Sequence, residues 1–289
     1  MRDYIIMTDS CCDLSQQEVE ELELTVLPLS FTIEGKTLLN TPDHADMSPE
    51  EFFAKIAAGA DCTTAAANVG QFTDAMEKAL QEGQDILCVC FSSALSTTYQ
   101  SACIAAEDLR EKYPEAKILV IDSLSASRGQ GMLLYRAVRE RREKNLTIDE
   151  LDAYVRSIIQ SQCHWFIVDD LNHLKRGGRV SSTAALVGTM LGIKPVMHTD
   201  SEGRLTPVSK ARGTKAALVD KVGEIGVEPA KNQPMLICHA NCPESVEYVK
   251  GLLKERFGVT DVRDEFIGPV IGAHTGCGTL GLFFVGTER

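Results

Sequence analysis

The run Ile86-Leu87-Cys88-Val89-Cys90-Phe91 is apolar without a break and gives way at once to Ser92-Ser93. It is too short for a core helix, and a strand with one wet face would alternate, so the run predicts a strand covered on both faces, as in a parallel sheet. Ile118 to Ile121 has the same character. Between them the pattern turns helical. After Asn68, residues Phe72, Ala75, Met76, Ala79 and Leu80 recur on one face of a helix, a stripe that reads as core. Strands separated by helices of about three turns require right-handed crossovers and predict an α/β unit. Helix starts are marked chemically. Ser15 with Glu18, and Thr147 with Glu150, form capping boxes, and Ser48-Pro49 places proline at a first helical position. Tyr4 to Met7 reads as the first strand, and Leu24 to Ile33 as one extended segment ending at a Glu34-Gly35 turn.

The second half has another pattern. A strand begins near His164 to Val168, and Ile193 to Met197 and Leu205 to Val208 flank the turn Asp200 to Gly203 as a hairpin. A helix near Lys215 to Val222, a strand at Met235 to His239 and a helix from Glu244 to Phe257 follow. The last strands fall at Val262 to Phe266 and Leu280 to Val285. The fold class expected is therefore α/β with two domains: an N-terminal parallel-sheet α/β domain over 1–160 and a C-terminal α+β domain with a mixed sheet over 161–289. They share a packed cleft.

Charge excludes several roles. A net charge of -12 repels nucleic acid and anionic headgroups, so no nucleic-acid partner is expected. No stretch of about 18 apolar residues occurs, which argues against a membrane-spanning helix. The first residues read as a strand rather than a leader, and a soluble cytoplasmic protein with no integral membrane association is expected. The ten cysteines are scattered through apolar segments and read as reduced core residues. Neither Cys11-Cys12 nor Cys238-His239-x-x-Cys242 has a second pair at matching spacing, so no metal is expected.

Candidate chemistry collects at a few loops. Phe91 to Tyr99 joins a predicted parallel strand to a helix, and five of its nine residues carry aliphatic hydroxyls. Ligands of open α/β sheets bind at that edge, and the following helix start favours an anion. Simple N-capping by Ser96 or Thr97 is the plain alternative. Cys62-Thr63-Thr64-Ala65-Ala66-Ala67-Asn68 reads as a second hydroxyl-bearing loop, its alanines leaving room for bulk. Lys175-Arg176-Gly177-Gly178-Arg179 offers three cations near Asp169 and Asp170, with a solvated turn as the plain alternative. Gly276-Cys277-Gly278-Thr279-Leu280-Gly281 matches the dinucleotide glycine pattern formally, but only eight residues follow it. No nucleophile elbow, phosphate-binding lysine loop, zinc-protease or kinase signature is present.

Six segments, in order and spacing, resemble the DegV family. They are Thr8-Asp9-Ser10; Ser92 to Ala102; Ile121-Asp122-Ser123; Leu174 to Arg179; Ile193-Lys194-Pro195-Val196; and Ile267 to Gly278. The resemblance spans the chain and implies one DegV-type unit that binds a long-chain fatty acid, such as palmitate or oleate, by its carboxylate. It implies a carrier without catalytic residues of its own or a cofactor beyond that ligand. A separate fatty acid kinase would be the partner that receives the bound acid. Carried over residue by residue, Thr64 and Ser96 match the headgroup hydroxyls, with Thr63 and Thr97 beside them, and Arg179 and His274 match polar positions near the headgroup. Two departures stand out. Ala65, Ala66 and Ala67 replace Ser-Gln-Pro, and Thr97 replaces a glycine, which matters if that position needs positive φ.

Two further readings come from other classes. Ser96 as nucleophile with His274 as base would make an acyl- or phosphoryl-group enzyme and requires the two within hydrogen-bond reach. A docking module would use Arg179 and Arg212 against a protein partner.

Overall fold

The computed structural model describes residues 2–180, 194–211 and 214–289. Arg212 and Ile193 lie outside the described residues.

Strands β1 (Tyr4–Asp9), β2 (Leu24–Leu27), β6 (Asp85–Cys90) and β7 (Ile118–Asp122) form a four-stranded sheet in the order β2-β1-β6-β7, parallel throughout. Every residue of β6 is buried, as its unbroken apolar run requires. Its side chains divide by the period of two: Ile86, Cys88 and Cys90 join the core beneath α3 (Val69–Gln81) and α4 (Thr98–Lys112), while Leu87 and Val89 join the core beneath α5 (Arg128–Lys144) and α6 (Ile148–Ile158).

Leu24 to Ile33 is not one strand. Pro28 lies between β2 and β3 (Leu29–Ile33), and β3 leaves the parallel sheet to centre a three-stranded antiparallel sheet, β4-β3-β5. In it β4 is Lys36–Asn40 and β5 is Cys62–Ala65. The segment read as a hydroxyl-bearing loop is thus a strand, paired from Cys62↔Ile33 to Ala65↔Ser30. A central β3 leaves an open edge, and adjacent β-branched threonines suit the pairing. Helices α1 (Gln16–Glu21) and α2 (Pro49–Ala57) start at the expected caps Ser15 and Ser48, and Thr147 caps α6.

From residue 162 onward all described strands belong to one mixed sheet, ordered β10-β9-β8-β13-β11-β12. These are β8 (Gln162–Ile167), β9 (Lys194–Thr199), β10 (Leu205–Ala211), β11 (Met235–His239), β12 (Val262–Phe266) and β13 (Leu280–Val285), with only β11 and β12 parallel. Helices α7 (Leu171–Arg176), α8 (Thr214–Ile225), α9 (Pro243–Phe257) and α10 (Pro269–Thr275) complete the described α-helices. Helices α8 and α9 cover one face of this sheet.

Helix α5 touches β6 on one side and β8, β11 and β13 on the other, so its first half is buried. Gly129 allows the close approach to β13, where an added Cβ would stand 3.0 Å from Phe283, and Gly131 allows the approach to the segment after β1, at 2.8 Å from Leu14 and 3.0 Å from the Cys12 carbonyl. The same enclosure takes Arg128 out of water entirely. Both of its terminal nitrogens donate to Glu18, each at 2.7 Å, and Nη1 also reaches the Asp13 carbonyl at 3.2 Å. Burial alone would raise the Glu18 carboxyl, but the guanidinium, helped by the Ser15 amide and the Tyr135 hydroxyl, holds it below its ordinary value.

Glu18→Gln should leave that guanidinium without its counter-charge, a change that costs about 3–5 kcal/mol for a buried pair. Urea unfolding of the variant is expected to show a loss of this size. A loss under about 1 kcal/mol would mean the cation is compensated elsewhere.

Candidate functional site

A cavity of about 440 Å³ opens where the three sheets meet. Its walls come from the Phe91–Thr97 segment after β6, from Ala126 and Ser127 at the start of α5, from Thr64 and Ala65 of β5, from His164 and Phe166 of β8, and from Val270, Ile271 and His274 of α10. Leu29, Leu95, Leu174, Leu205, Cys238 and Ile267 complete an apolar surround. A size within about 300–1,000 Å³ and a mostly apolar lining with a few polar groups are the marks of a small-molecule site.

Buried carboxylates hold the loops in place. Asp9 ends β1, and its Oδ2 accepts the Phe91 amide at 2.7 Å while Oδ1 accepts the Cys11 amide at 3.0 Å, which fixes where β6 turns into the serine-rich segment. Burial pushes the Asp9 carboxyl up to about 6 against those hydrogen bonds. Farther along, the Ser93 amide donates to Asp122 at 3.2 Å, and the Ser92 hydroxyl donates to the Gly203 carbonyl in the β9–β10 turn at 2.9 Å. Asp13 accepts the Gly268 amide at 3.1 Å and the Ser127 hydroxyl, with burial raising it to about 7.

Five of the six expected headgroup residues share this cavity: Thr64, Ser96, Thr97, Arg179 and His274. Thr63 does not. Successive residues of a strand point to opposite sides, so with Thr64 facing inward Thr63 turns outward, to an outer pocket lined also by Asp61, His173 and Arg176. That pocket shares Thr64, Arg179 and His274 with the cavity.

Across the cavity mouth Thr64 Oγ1 and His274 Nε2 are 2.8 Å apart, 210 residues distant in sequence. The other edge of the ring lies against Gly177, where an added Cβ would fall 2.2 Å from Nδ1. Enclosure and, second, the nearby Arg179 charge lower the His274 pKa from 6.5 to about 4, so the ring is neutral at pH 7. Ser96 Oγ accepts the Thr98 amide at 3.2 Å and shares a 2.9 Å hydrogen bond with Thr98 Oγ1, capping α4 and lining the cavity at once. Thr97 has φ −78, so the residue that replaces glycine needs no left-handed backbone, and its side chain makes no cap bond.

Arg179 Nε donates to the Leu95 carbonyl at 3.1 Å and Nη1 to the Gly177 carbonyl. Of the cations around the glycine pair it alone lines the cavity, since Arg176 turns to His173 at 3.1 Å in an exposed contact. Asp170 caps α7 through the Asn172 amide. Among the described residues the cavity wall holds one cation and no carboxylate. Among them, too, no hydrogen bond joins Ser96 to His274; each is engaged elsewhere, so the pair needed for nucleophilic catalysis is not formed.

The glycine pattern at 276–281 joins α10 to β13, a helix-to-strand link rather than the strand-to-helix turn of a dinucleotide site. Cys11, Cys12, Cys88, Cys90, Cys163 and Cys238 are buried free thiols. Among the described residues no helix is long and apolar enough to cross a membrane. No group of three or more His, Cys, Asp or Glu is placed to hold a metal among them. Sequence reasoning missed the apolar wall, which is scattered over β3, β8, β10, β11 and α10; only its membership of buried apolar runs was visible.

The family model described as "Uncharacterised protein, DegV family" matches residues 4–287. The chain belongs to the DegV family. A DegV domain-containing protein of Clostridium perfringens is 39% identical over 292 residues, covering 100% of this chain and 99% of that one. Another DegV relative, YteA of Lactococcus lactis, is 37% identical over 283 residues, with 98% and 97% covered. Among solved structures, a DegV protein of Thermus thermophilus described by its fatty acid binding superposes with a TM-score of 0.84 at 28% identity, over 99% of this chain and 100% of that one. A Thermotoga maritima protein described as revealing fatty acid binding function gives 0.83 at 26% identity over 99% and 100%.

In the ligand-free protein the His274 ring should titrate near pH 4, followed by its imidazole NMR shifts. The unfolded ring titrates near 6.5, so this side chain favours the fold fully above pH 6.5 and withdraws that support between pH 6.5 and 4. Gly177→Ala should displace the ring from Thr64 and move its midpoint up towards 6.5. A wild-type midpoint already near 6.5 would contradict the enclosed, Thr64-bonded ring.

Proposed function

We propose that the chain binds a long-chain fatty acid, with the carboxylate at Thr64, Ser96, Arg179 and His274 and the acyl chain along the apolar wall. The observation that carries this reading is a largely apolar cavity whose one charged wall residue, among those described, is Arg179. A carboxylate there meets a cation, two hydroxyls and a neutral imidazole, and no acidic side chain among the described residues repels it. The relatives described as fatty-acid binding support the same reading.

Affinity comes from the tail and orientation from the head. Each buried methylene contributes about 0.8 kcal/mol, so a long chain gives on the order of 10 kcal/mol before costs. A hydrogen bond to a charged group gives about 1.5–3 kcal/mol. Such a site holds and releases its ligand without changing it, as a cytoplasmic carrier would. The outer pocket shares Thr64, Arg179 and His274 with the cavity and would let a separate fatty acid kinase reach the carboxylate.

Denaturing extraction of the purified protein, with mass spectrometry of what is released, is expected to yield a long-chain fatty acid in near-stoichiometric amount. In titrations of saturated acids, each added methylene should tighten binding about fourfold until the cavity is filled. Ser96→Ala should weaken binding by roughly tenfold or less, and Arg179→Ala by roughly ten- to a hundredfold. A protein that neither carries nor takes up palmitate or oleate would overturn the reading. Undiminished affinity in Arg179→Ala would overturn the headgroup assignment.

A further inference from the structure

Apart from the headgroup, the cavity contains a second polar feature. His164 sits in the middle of β8, is 5% exposed, and lines the cavity beside Phe166. Its ring is 4.7 Å from Phe283 and 5.6 Å from Phe166 by centroids, so its surroundings are largely aromatic. On the far edge, Nδ1 is 2.8 Å from Thr199 Oγ1 and 3.4 Å from Ser125 Oγ.

The nearer hydroxyl points to one tautomer. The fully buried Thr199 side chain has no other hydrogen-bond partner among the described residues, so Nδ1 is the acceptor its proton has there. Nδ1 therefore accepts, and in a neutral imidazole the proton then resides on Nε2. Burial, with the nearby Arg289 charge second, keeps the ring neutral by lowering its pKa well below 6.5. Nε2 makes no hydrogen bond within the described chain, yet it is not among the fully enclosed polar atoms left without a partner. On a residue that lines the cavity, it is an N–H donor with no acceptor among the described residues.

An unmodified saturated chain passing this donor would strip it of water and return nothing, and a donor left unmet in that way weakens binding. An oxygen on the chain at that depth would meet it. We propose that His164 selects fatty acids bearing a hydroxyl group along the acyl chain, with Nε2–H donating to the hydroxyl oxygen. The inference rests on the fatty-acid reading of the cavity and assigns its substrate class more narrowly. A cis double bond offers only its π-face, a weaker acceptor, and should gain less.

The test is a titration of palmitate against a set of hydroxypalmitates in which the hydroxyl is walked along the chain, on wild type and on His164→Leu. One position is expected to bind about tenfold tighter than palmitate to wild type, with neighbouring positions falling off. In His164→Leu that ratio should collapse towards one, whatever the change in absolute affinity. Thr199→Val, which removes the hydroxyl that holds Nδ1 as acceptor, should shrink the ratio as well and serves if the leucine variant does not fold. If palmitate binds and no hydroxyl position improves on it, the proposal is overturned while the fatty-acid reading stands. A hydroxyl preference that survives in both variants also overturns it, because another group then makes the contact. If neither acid class binds, the underlying reading falls, and this one with it.

Discussion

Helix α5 has a sheet on either side, and most of the architecture follows from what that enclosure does to its first turn. Arg128 cannot reach water, and an unpaired buried guanidinium would not be tolerated. Glu18 answers it, and the capping box of α1 places Glu18 to do so, because the same carboxylate accepts the Ser15 amide at 2.9 Å. A local helix-start signal thereby becomes a long-range tether. One step away, Asp13 joins Ser127 of the same turn to the Gly268 amide just before α10. Segments near residues 13, 127 and 268 are thus locked together, and α10, which carries His274, is hung from that lock.

The site inherits its geometry from this arrangement. Thr64 arrives on an edge strand of the small antiparallel sheet, Ser96 from the carboxyl edge of the parallel sheet, Arg179 from the segment after α7, and His274 from the end of α10. None of these elements is a sequence neighbour of the others. Against a net charge of -12, the half-buried Arg179, the one cation on the cavity wall among the described residues, is a local reversal of sign. The neutral His274 matters here. Were it protonated, the free cavity would hold two cations in close company, and burial beside Arg179 prevents that.

How much of this was legible in the sequence depended on whether the signal was local. The strands β6 and β7 were visible because burial on both faces leaves an unbroken apolar run, and the capping boxes because both partners sit within one turn. The six-stranded sheet was visible piecewise, from strand lengths and the Asp200 to Gly203 turn. What stayed hidden was anything set by a partner far away. Cys62 to Ala65 reads as loop until β3 lies beside it, and Leu24 to Ile33 reads as one strand because nothing local says that Pro28 separates two sheets. The Thr64–His274 bond and the His164 donor likewise exist only after three sheets have met. Thr63 was misplaced for a simpler reason: in a loop both threonines could face the ligand, whereas in a strand only one can.

The two departures from the family pattern can be weighed by the same logic. A proline would fall at position 67, two residues beyond the end of the β3 ladder at Ala65↔Ser30; there Ala67 is buried in the core just before α3. Ala65 and Ala66 border the cavity, Ala65 from the same outward-facing side of β5 as Thr63, and Ala67 is packed into the core instead. Thr97 brings a hydroxyl to the cavity from a backbone with φ −78 that glycine was not needed to reach. The hydroxyls that border the cavity thus come from both sides, Thr64 from β5 and Ser96 and Thr97 from the segment that leads into α4.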